Sequence, residues 1–520
     1  MSGLRFPFVV AALALTGCGI NPVTGERELQ FVSEAQELKI GAENYAPMRQ
    51  SEGGDFEVVP ELTTYVNEVG QKLAAVSDRA LPYEFVVLNN SVPNAWALPG
   101  GKIAVNRGLL TDLKNEAELA AVLGHEIVHA AARHGAQAQE RGTLLQAGMA
   151  AATIGAAVGG VDQNVAGLLI QGAGVGAQLI HTRYGREAEL ESDLYGMRYM
   201  KAAGYDPQGA VTLQETFVRL SEQGGRQQNW LEGLFASHPP SQERVERNRQ
   251  TAAQLGTGGE LGAERYAARL KPLMDVKPAY DKYDQAVAAA RKKDFAGARK
   301  LAGEAVAAVP QEGRFHEFLG EVTLSEKRPR EAVPHYQKAI DLNPEYFGSY
   351  LGAGVAQLQA GNRAQAEEWL KRSAQLLPTA PAAFYLGQIE KEKGNLAGAM
   401  QYYKAAAGSN SAIGQQAAGE FVRLDLPQNP GNYVAAAAQL DARGQLVAVI
   451  QNRAPVPLAD IQVTPVLVDA AGRVVSMGNR VGVRGPVPSG QQAAVGTGTG
   501  LTAEQLQFVR FRIDSARAAE

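Results

Sequence analysis

Apolar residues recur at helical spacing between Thr63 and Val76, where Val66, Val69, Leu73 and Val76 share one face. Tyr83 to Leu88 reads as a strand. Asn94 to Leu98 and Lys102 to Val105 read as a hairpin turning at Pro99-Gly-Gly, with Trp96 and Leu98 alternating as half-buried residues do. From Leu119 to Ala131 the polar face disappears. Leu119, Ala121, Val122, Leu123, Ile127, Val128, Ala130 and Ala131 surround the axis, as in a buried helix. Gln139 to Tyr184 is rich in Ala and Gly, with few charges, Arg141, Asp162 and Arg183 among them. Gln146, Asp162, Gln163, Asn164, Gln171 and Gln178 interrupt it, so an apolar helical pair flanking a cleft fits better than a membrane-spanning hairpin. Glu187 to Ala203 reads as a further helix, and Trp230 to Arg249 returns towards it.

Beyond a glycine-rich stretch at Gly256 to Glu264 the pattern becomes periodic. Ala298, Ala305 and Pro310 recur as Ala332, Ala339 and Pro344, a shift of 34, and again as Ala366, Ser373 and Pro378. Ala399 and Ala406 continue the series at a shift of 33, and Gly320, Gly354 and Gly387 precede the first alanine of their repeats by twelve residues. This is the tetratricopeptide (TPR) period, two antiparallel helices per repeat packed through small residues. From Leu426 onward short apolar runs replace it: Leu446 to Ile450, Ile461 to Val468, Arg473 to Ser476 and Phe508 to Ile513, broken by Gly, Pro and Asn. The fold class expected is therefore multidomain: an α+β, mainly α domain, an all-α TPR solenoid and a C-terminal antiparallel β-sandwich. The divisions expected are 1–17, 18–255, a linker at 256–278, the repeats at 279–425 and the sandwich at 426–520.

A chain of 520 residues has room for these domains, and a net charge of −4 with a pI of about 6.1 gives no footprint for nucleic acid. Met1 to Gly17 has Arg5, a short apolar run from Phe6 to Leu15 and small residues before Cys18, which is a secretory signal too short to span a bilayer. Leu15-Thr-Gly-Cys18 resembles a bacterial lipobox, which implies that Cys18 becomes the lipidated N-terminus. Because Cys18 is the single cysteine, the mature chain has no internal disulfide.

The chemistry lies in the buried helix. His125, Glu126 and His129 stand in the order H-E-x-x-H, in a chain with only seven histidines. Positions i and i+4 share a helix face, so two imidazoles point at one place, as a zinc ion requires, and Glu126 can act there as general base. The alternative is a pair of surface histidines, but burying them in an apolar helix without a partner is costly. A third ligand is due from the acidic run Arg186 to Asp193, where Glu189 and Asp193 are also i and i+4. Glu189 suits the metal and Asp193 the free N–H of a ligand histidine, with Glu187 and Glu191 as competitors for the ligand role.

At these residues the chain resembles the HtpX/BepA-like zinc metallopeptidases, relatives of the CAAX prenyl endopeptidases and the mitochondrial Oma-type proteases. The likeness runs from about Cys18 to Arg249. It includes Asn94-Ala-Trp-Ala-Leu-Pro-Gly-Gly101, Arg107-Gly-Leu-Leu110, Glu116 to Ala120 and the H-E-x-x-H. Asn21-Pro-Val-Thr-Gly25 and Ser33 to Gly41 look like the lipoprotein branch of the family. The resemblance implies a gluzincin, zincin-type domain holding one Zn2+. It selects Glu189 as the third ligand, in E-x-x-x-D with Asp193, and it adds a His-Pro followed by an arginine, matched by His238, Pro239 and Arg244. It also implies that the edge formed by Asn94, Ala95, Trp96 and Ala97 borders the cleft and takes up substrate as an added strand. His238 has two roles open: donor to the oxyanion, or a latch in the fourth metal position. The C-terminal strands resemble bacterial FxLYD-like accessory modules.

The function expected is a lipid-anchored zinc endopeptidase of the bacterial cell envelope, outer-membrane bound and facing the periplasm. It would remove misassembled periplasmic and outer-membrane proteins, with a TPR groove for clients or the outer-membrane assembly machinery. Its alternative is a chaperone or assembly scaffold with a rarely open cleft.

Overall fold

The computed structural model of the chain describes residues 18–138, 140, 184–222, 233–256 and 258–519. The expected leader at 1–17, the Ala/Gly-rich stretch between Glu140 and Tyr184, and Trp230 lie outside them. Among the described residues no helix is long and apolar enough to cross a membrane. The chain divides into two compact units, Met1–Ser349 and Tyr350–Glu520.

The first unit opens with a small antiparallel hairpin, β1 (Cys18–Ile20) and β2 (Arg27–Leu29). Helix α1 (Glu34–Ser51) starts at a capping box in which Ser33 and Gln36 satisfy each other's backbone N–H. Helix α2 (Pro60–Ala74) buries Leu62, Val66, Val69 and Leu73, close to the stripe read from the sequence. A three-stranded sheet follows, in the order β3 (Glu84–Leu88), β5 (Lys102–Asn106), β4 (Ala95–Leu98). Strand β3 runs parallel to β5, whereas β4 pairs antiparallel with it through the turn at Gly100 and Gly101, both at positive φ. Trp96 and Leu98 pack with Tyr45 and Met48 of α1, while Ala95 and Ala97 face the main core. Helix α3 (Glu116–Ala131) runs through that core with every one of its sixteen residues buried. Asn115 caps it by accepting the Glu118 N–H at 2.9 Å. Around it stand α4 (Arg186–Ala202), α5 (Gln208–Glu222), the single turn α6 (Leu234–Ser237) and α7 (Gln242–Leu255).

Residues 263–278, expected as linker, instead begin one long helix, α8 (Ala263–Arg291). Tyr266, Leu270 and Leu273 recur at i, i+4 and i+7 and are buried in the same core as α3, and this outweighs the two prolines within the helix. The first repeat helices share that unit. Arg107 lies over the Tyr280 ring at 3.7 Å, Ser91 donates to Asp284 at 2.7 Å, and Asn89 donates to Glu312 at 2.9 Å.

The recurring small residues are the packing positions of the repeats. Ala298, Ala305, Ala332, Ala339, Ala366, Ser373, Ala399 and Ala406 are all fully buried. A Cβ at Gly320 or Gly387 would stand within 2.9 Å of the Tyr336 or Tyr403 ring, so glycine lets the paired helices close. In the second unit two antiparallel sheets follow the helix Ala412–Asp425. One joins β6 (Val434–Leu440), β7 (Gln445–Asn452) and β11 (Gln492–Gly500). The other joins β8 (Leu458–Val468), β9 (Val474–Met477), β10 (Val481–Val483) and β12 (Val509–Ala518). Ala448 and Ile450 of the first sheet and Ile461 and Val463 of the second belong to one apolar cluster.

Candidate metal centre

Helices α3 and α4 cross where glycine meets glycine. A Cβ on Gly196 would stand 3.0 Å from the backbone of Gly124, so the absence of side chains here lets the helices approach closely. The crossing brings the acids of α4 over the histidines of α3. His125 Nε2 and His129 Nε2 lie 3.0 Å apart. Glu189 Oε2 is 3.5 Å from the first and Glu189 Oε1 is 3.4 Å from the second. His238 ends α6, and its Nδ1 lies 3.3 Å from His125 Nε2 and 3.0 Å from Glu189 Oε1. All four residues are buried, with one donor atom each inside a span of 4.8 Å.

This set fits a tetrahedral metal on two counts. Four atoms each about 2.0–2.1 Å from a common centre stand roughly 3.3–3.4 Å apart, close to the spacings here. The two Nε2 atoms, moreover, face each other across the space a cation would fill. His125 turns its Nδ1 to Asp193 Oδ1 at 2.9 Å, which points its Nε2 inward. Glu189 Oε2 and Glu126 Oε2 are buried without a well-directed hydrogen bond. Arg244 Nη1 lies 2.8 Å from that Glu189 oxygen, but the guanidinium aims its N–H groups at Asp193, through Nε and Nη2 at 2.7 Å each, and at the Pro239 carbonyl.

The charges agree. Burial raises the cost of ionising Glu189, yet His238, Arg244 and His125 outweigh it and hold its carboxyl well below the ordinary range. Asp193 is lowered too: Arg244 outweighs its burial. Burial opposes protonation of His125, but Glu189 and Asp193 draw positive charge there and lift it to about 9. His129 is held well below the usual imidazole value, chiefly by burial. Burial raises Glu126 above the ordinary carboxylate range, only partly offset by His238 and His125, the direction that suits a general base.

The structure brings together His125, Glu126, His129, Glu189, Asp193, His238 and Arg244. It keeps the competing acids out: Glu187 is exposed, and Glu191 turns to Asn21 at 3.2 Å and His134 at 3.5 Å. Asn94, Ala95 and Trp96 are buried, and Trp96 is a core residue, so what β4 offers at its edge is backbone. Two neighbours were not foreseen. His134 Nδ1 meets His129 Nδ1 at 2.9 Å, fixing which nitrogen of His129 points inward; its spacing of five residues after His129 was the available signal. Tyr184 stacks on the His129 ring, centroids 4.0 Å apart, and no local pattern marks it.

Two histidines one helical turn apart, a carboxylate from a second helix and a buried glutamate beside them define a metallopeptidase centre. The comparisons agree, with the profile of Peptidase family M48 matching residues 60–252. The chain belongs to that family and is BepA/HtpX-like within it. Tetratricopeptide repeat profiles match residues 283–344 and 323–388. A beta-barrel assembly-enhancing protease of Yersinia pestis is 25% identical over 72% of this chain and 83% of that protein. The mitochondrial metalloendopeptidase OMA1 of Schizosaccharomyces pombe is 32% identical over 46% of this chain and 70% of its own length. Metalloprotease YcaL of Escherichia coli is 30% identical over 36% and 71%.

Proposed function

We propose that the chain is a zinc endopeptidase of the bacterial cell envelope that degrades misfolded or misassembled periplasmic and outer-membrane proteins. The convergence of His125, His129, Glu189 and His238 on one point carries this reading. His125, His129 and Glu189 are the ligands in it, held by Asp193, Arg244 and His134. Zinc, when bound, would polarise a carbonyl oxygen and make a water there far more acidic, to about 7. Glu126 takes the proton of the attacking water and delivers it to the leaving amine, a role suited by its raised pKa and by its unpartnered Oε2.

His238 is a latch in this reading. Its contacts with Glu189 and His125 support this reading, and its Nε2 lies 3.5 Å from Glu126 Oε1, where the attacking water is needed. An extended substrate adds to the edge of β4 through its backbone, which serves a protease of broad sequence tolerance. The TPR helices hold clients or assembly partners, and the two C-terminal sheets form a β-sandwich accessory module. Cys18 carries the lipid that keeps the protein at the outer membrane, facing the periplasm. The relatives named beta-barrel assembly-enhancing protease support the envelope role.

The test is hydrolysis of an unfolded protein such as casein. Cleavage should vanish on chelation with 1,10-phenanthroline and return with added zinc. Client binding without turnover in the metal-loaded protein contradicts the reading and favours an assembly scaffold.

A further inference from the structure

The N-terminal hairpin has two unlike faces. In an antiparallel pair, opposed residues lie on the same face, and so do alternate residues along each strand. The register pairs Cys18 with Leu29, Gly19 with Glu28 and Ile20 with Arg27. Positions 18, 20, 27 and 29 therefore share a face, and Phe31 follows two residues beyond β2. Ile20, Leu29 and Phe31 are 64%, 50% and 51% exposed, three large apolar groups within twelve residues.

The other face is clamped to the peptidase. Glu28 accepts from Asn21 at 2.8 Å and from Gln137 at 2.5 Å. Buried Glu140 accepts the N–H groups of Phe31 and Val32 at 2.9 and 2.8 Å, and Arg133 bonds both the Val32 carbonyl and Glu37. Asn21 holds the turn by accepting from Val23 and Thr24, and its amide reaches Glu191 on α4, between Glu189 and Asp193. The exposed side chains thus stand on a base rigidly joined to the metal-bearing helices.

We propose that this face, Ile20, Leu29 and Phe31 with Arg27 at its edge, is a membrane-docking surface that seats the peptidase on the bilayer in one orientation. The inference rests on acylation of Cys18. Given that, the lipid enters the membrane at the first residue of β1. Ile20 then lies two residues along, about 7 Å away, and Leu29 lies across the ladder at about 5 Å. Side chains so near an acyl anchor reach the headgroup layer, where aliphatic and aromatic groups are favoured and Arg27 meets lipid phosphate. A second protein is a poorer occupant: three partly exposed side chains offer a few hundred Å² at most, against about 1,000 Å² for a stable interface.

The single cysteine makes the test direct. With Cys18 acylated, Leu29→Cys or Phe31→Cys supplies one reactive thiol for a nitrobenzoxadiazole label, and Val76→Cys serves as an exposed control elsewhere on the unit. The full-length lipoprotein is reconstituted on phosphatidylethanolamine–phosphatidylglycerol vesicles containing a headgroup nitroxide lipid. Labels at 29 and 31 should be quenched at least threefold more than the label at 76. Equal quenching at the three positions overturns the proposal and makes the lipid a loose tether. Protection of 29 and 31 without quenching also overturns it, in favour of a second copy. Labelling of Cys18 itself, with no acyl mass on the chain, refutes the anchor and the docking surface together. Casein cleavage by the same preparations reports separately on the peptidase.

Discussion

Replacing His238 by alanine separates the two roles a histidine can play beside a metal. In the closed site its Nδ1 is 3.0 Å from Glu189 Oε1, and the side chain is buried. A hydrogen bond to a charged group contributes about 1.5–3 kcal/mol. If the latch opens by releasing that bond, it favours the closed form by roughly 10- to 150-fold. His238→Ala should therefore raise kcat/KM on an unstructured peptide by about tenfold or more, since the fraction of sites able to bind and cleave it rises. The assay is steady-state cleavage of a quenched fluorescent peptide, with zinc content measured on the same samples to show that three ligands still hold the metal. A fall of a hundredfold with zinc retained refutes the latch and assigns His238 to the oxyanion, whose donors contribute that much.

Glu189→Ala should weaken zinc binding severalfold or more in a chelator competition, whereas Glu187→Ala and Glu191→Ala leave it near wild type; the reverse pattern overturns the ligand choice. Glu317 tests the repeats. Burial lifts its carboxyl to about 7 despite Arg314 beside it, above the ordinary 4.5 of a glutamate. A raised acid stabilises the fold fully below the ordinary value and loses that contribution as pH rises through the folded one. Between pH 4.5 and 7, thermal stability should therefore fall by about 1–3 kcal/mol more in wild type than in Glu317→Gln, and identical pH profiles contradict this. A chain ending at Ser349 should keep peptide hydrolysis within about twofold and lose client capture in pull-downs, because the first repeat helices belong to the peptidase core; undiminished capture by the shortened chain refutes the assignment of clients to the later repeats.

What could be read in advance follows the range of the interactions. The H-E-x-x-H pair, the E-x-x-x-D acids and the 34-residue alanines are short-range patterns, and helical geometry alone carries them into space. The join between α8 and the peptidase is not of that kind. Gly256 to Glu264 signals a break, and the burial of Tyr266, Leu270 and Leu273 depends on residues more than a hundred positions away. Strands β6 and β11 carry no strand pattern because alanines and glycines dominate them, and their pairing with β7 overrides weak strand propensity. Tyr184 reached the centre unannounced for the same reason: ring stacking on His129 leaves no periodic trace. Selecting Glu189 over its neighbours needed the family resemblance, since spacing left three acids in play.

The central claim is that Glu126 is the base of a zinc peptidase centre whose metal is held by other residues. The direct measurement pairs zinc stoichiometry with turnover in Glu126→Gln. The account predicts about one zinc per chain, as in wild type, and a loss of at least a hundredfold in casein and peptide cleavage, the usual contribution of general base catalysis. Wild-type turnover in that variant, or a wild-type chain that takes up no zinc, would contradict it.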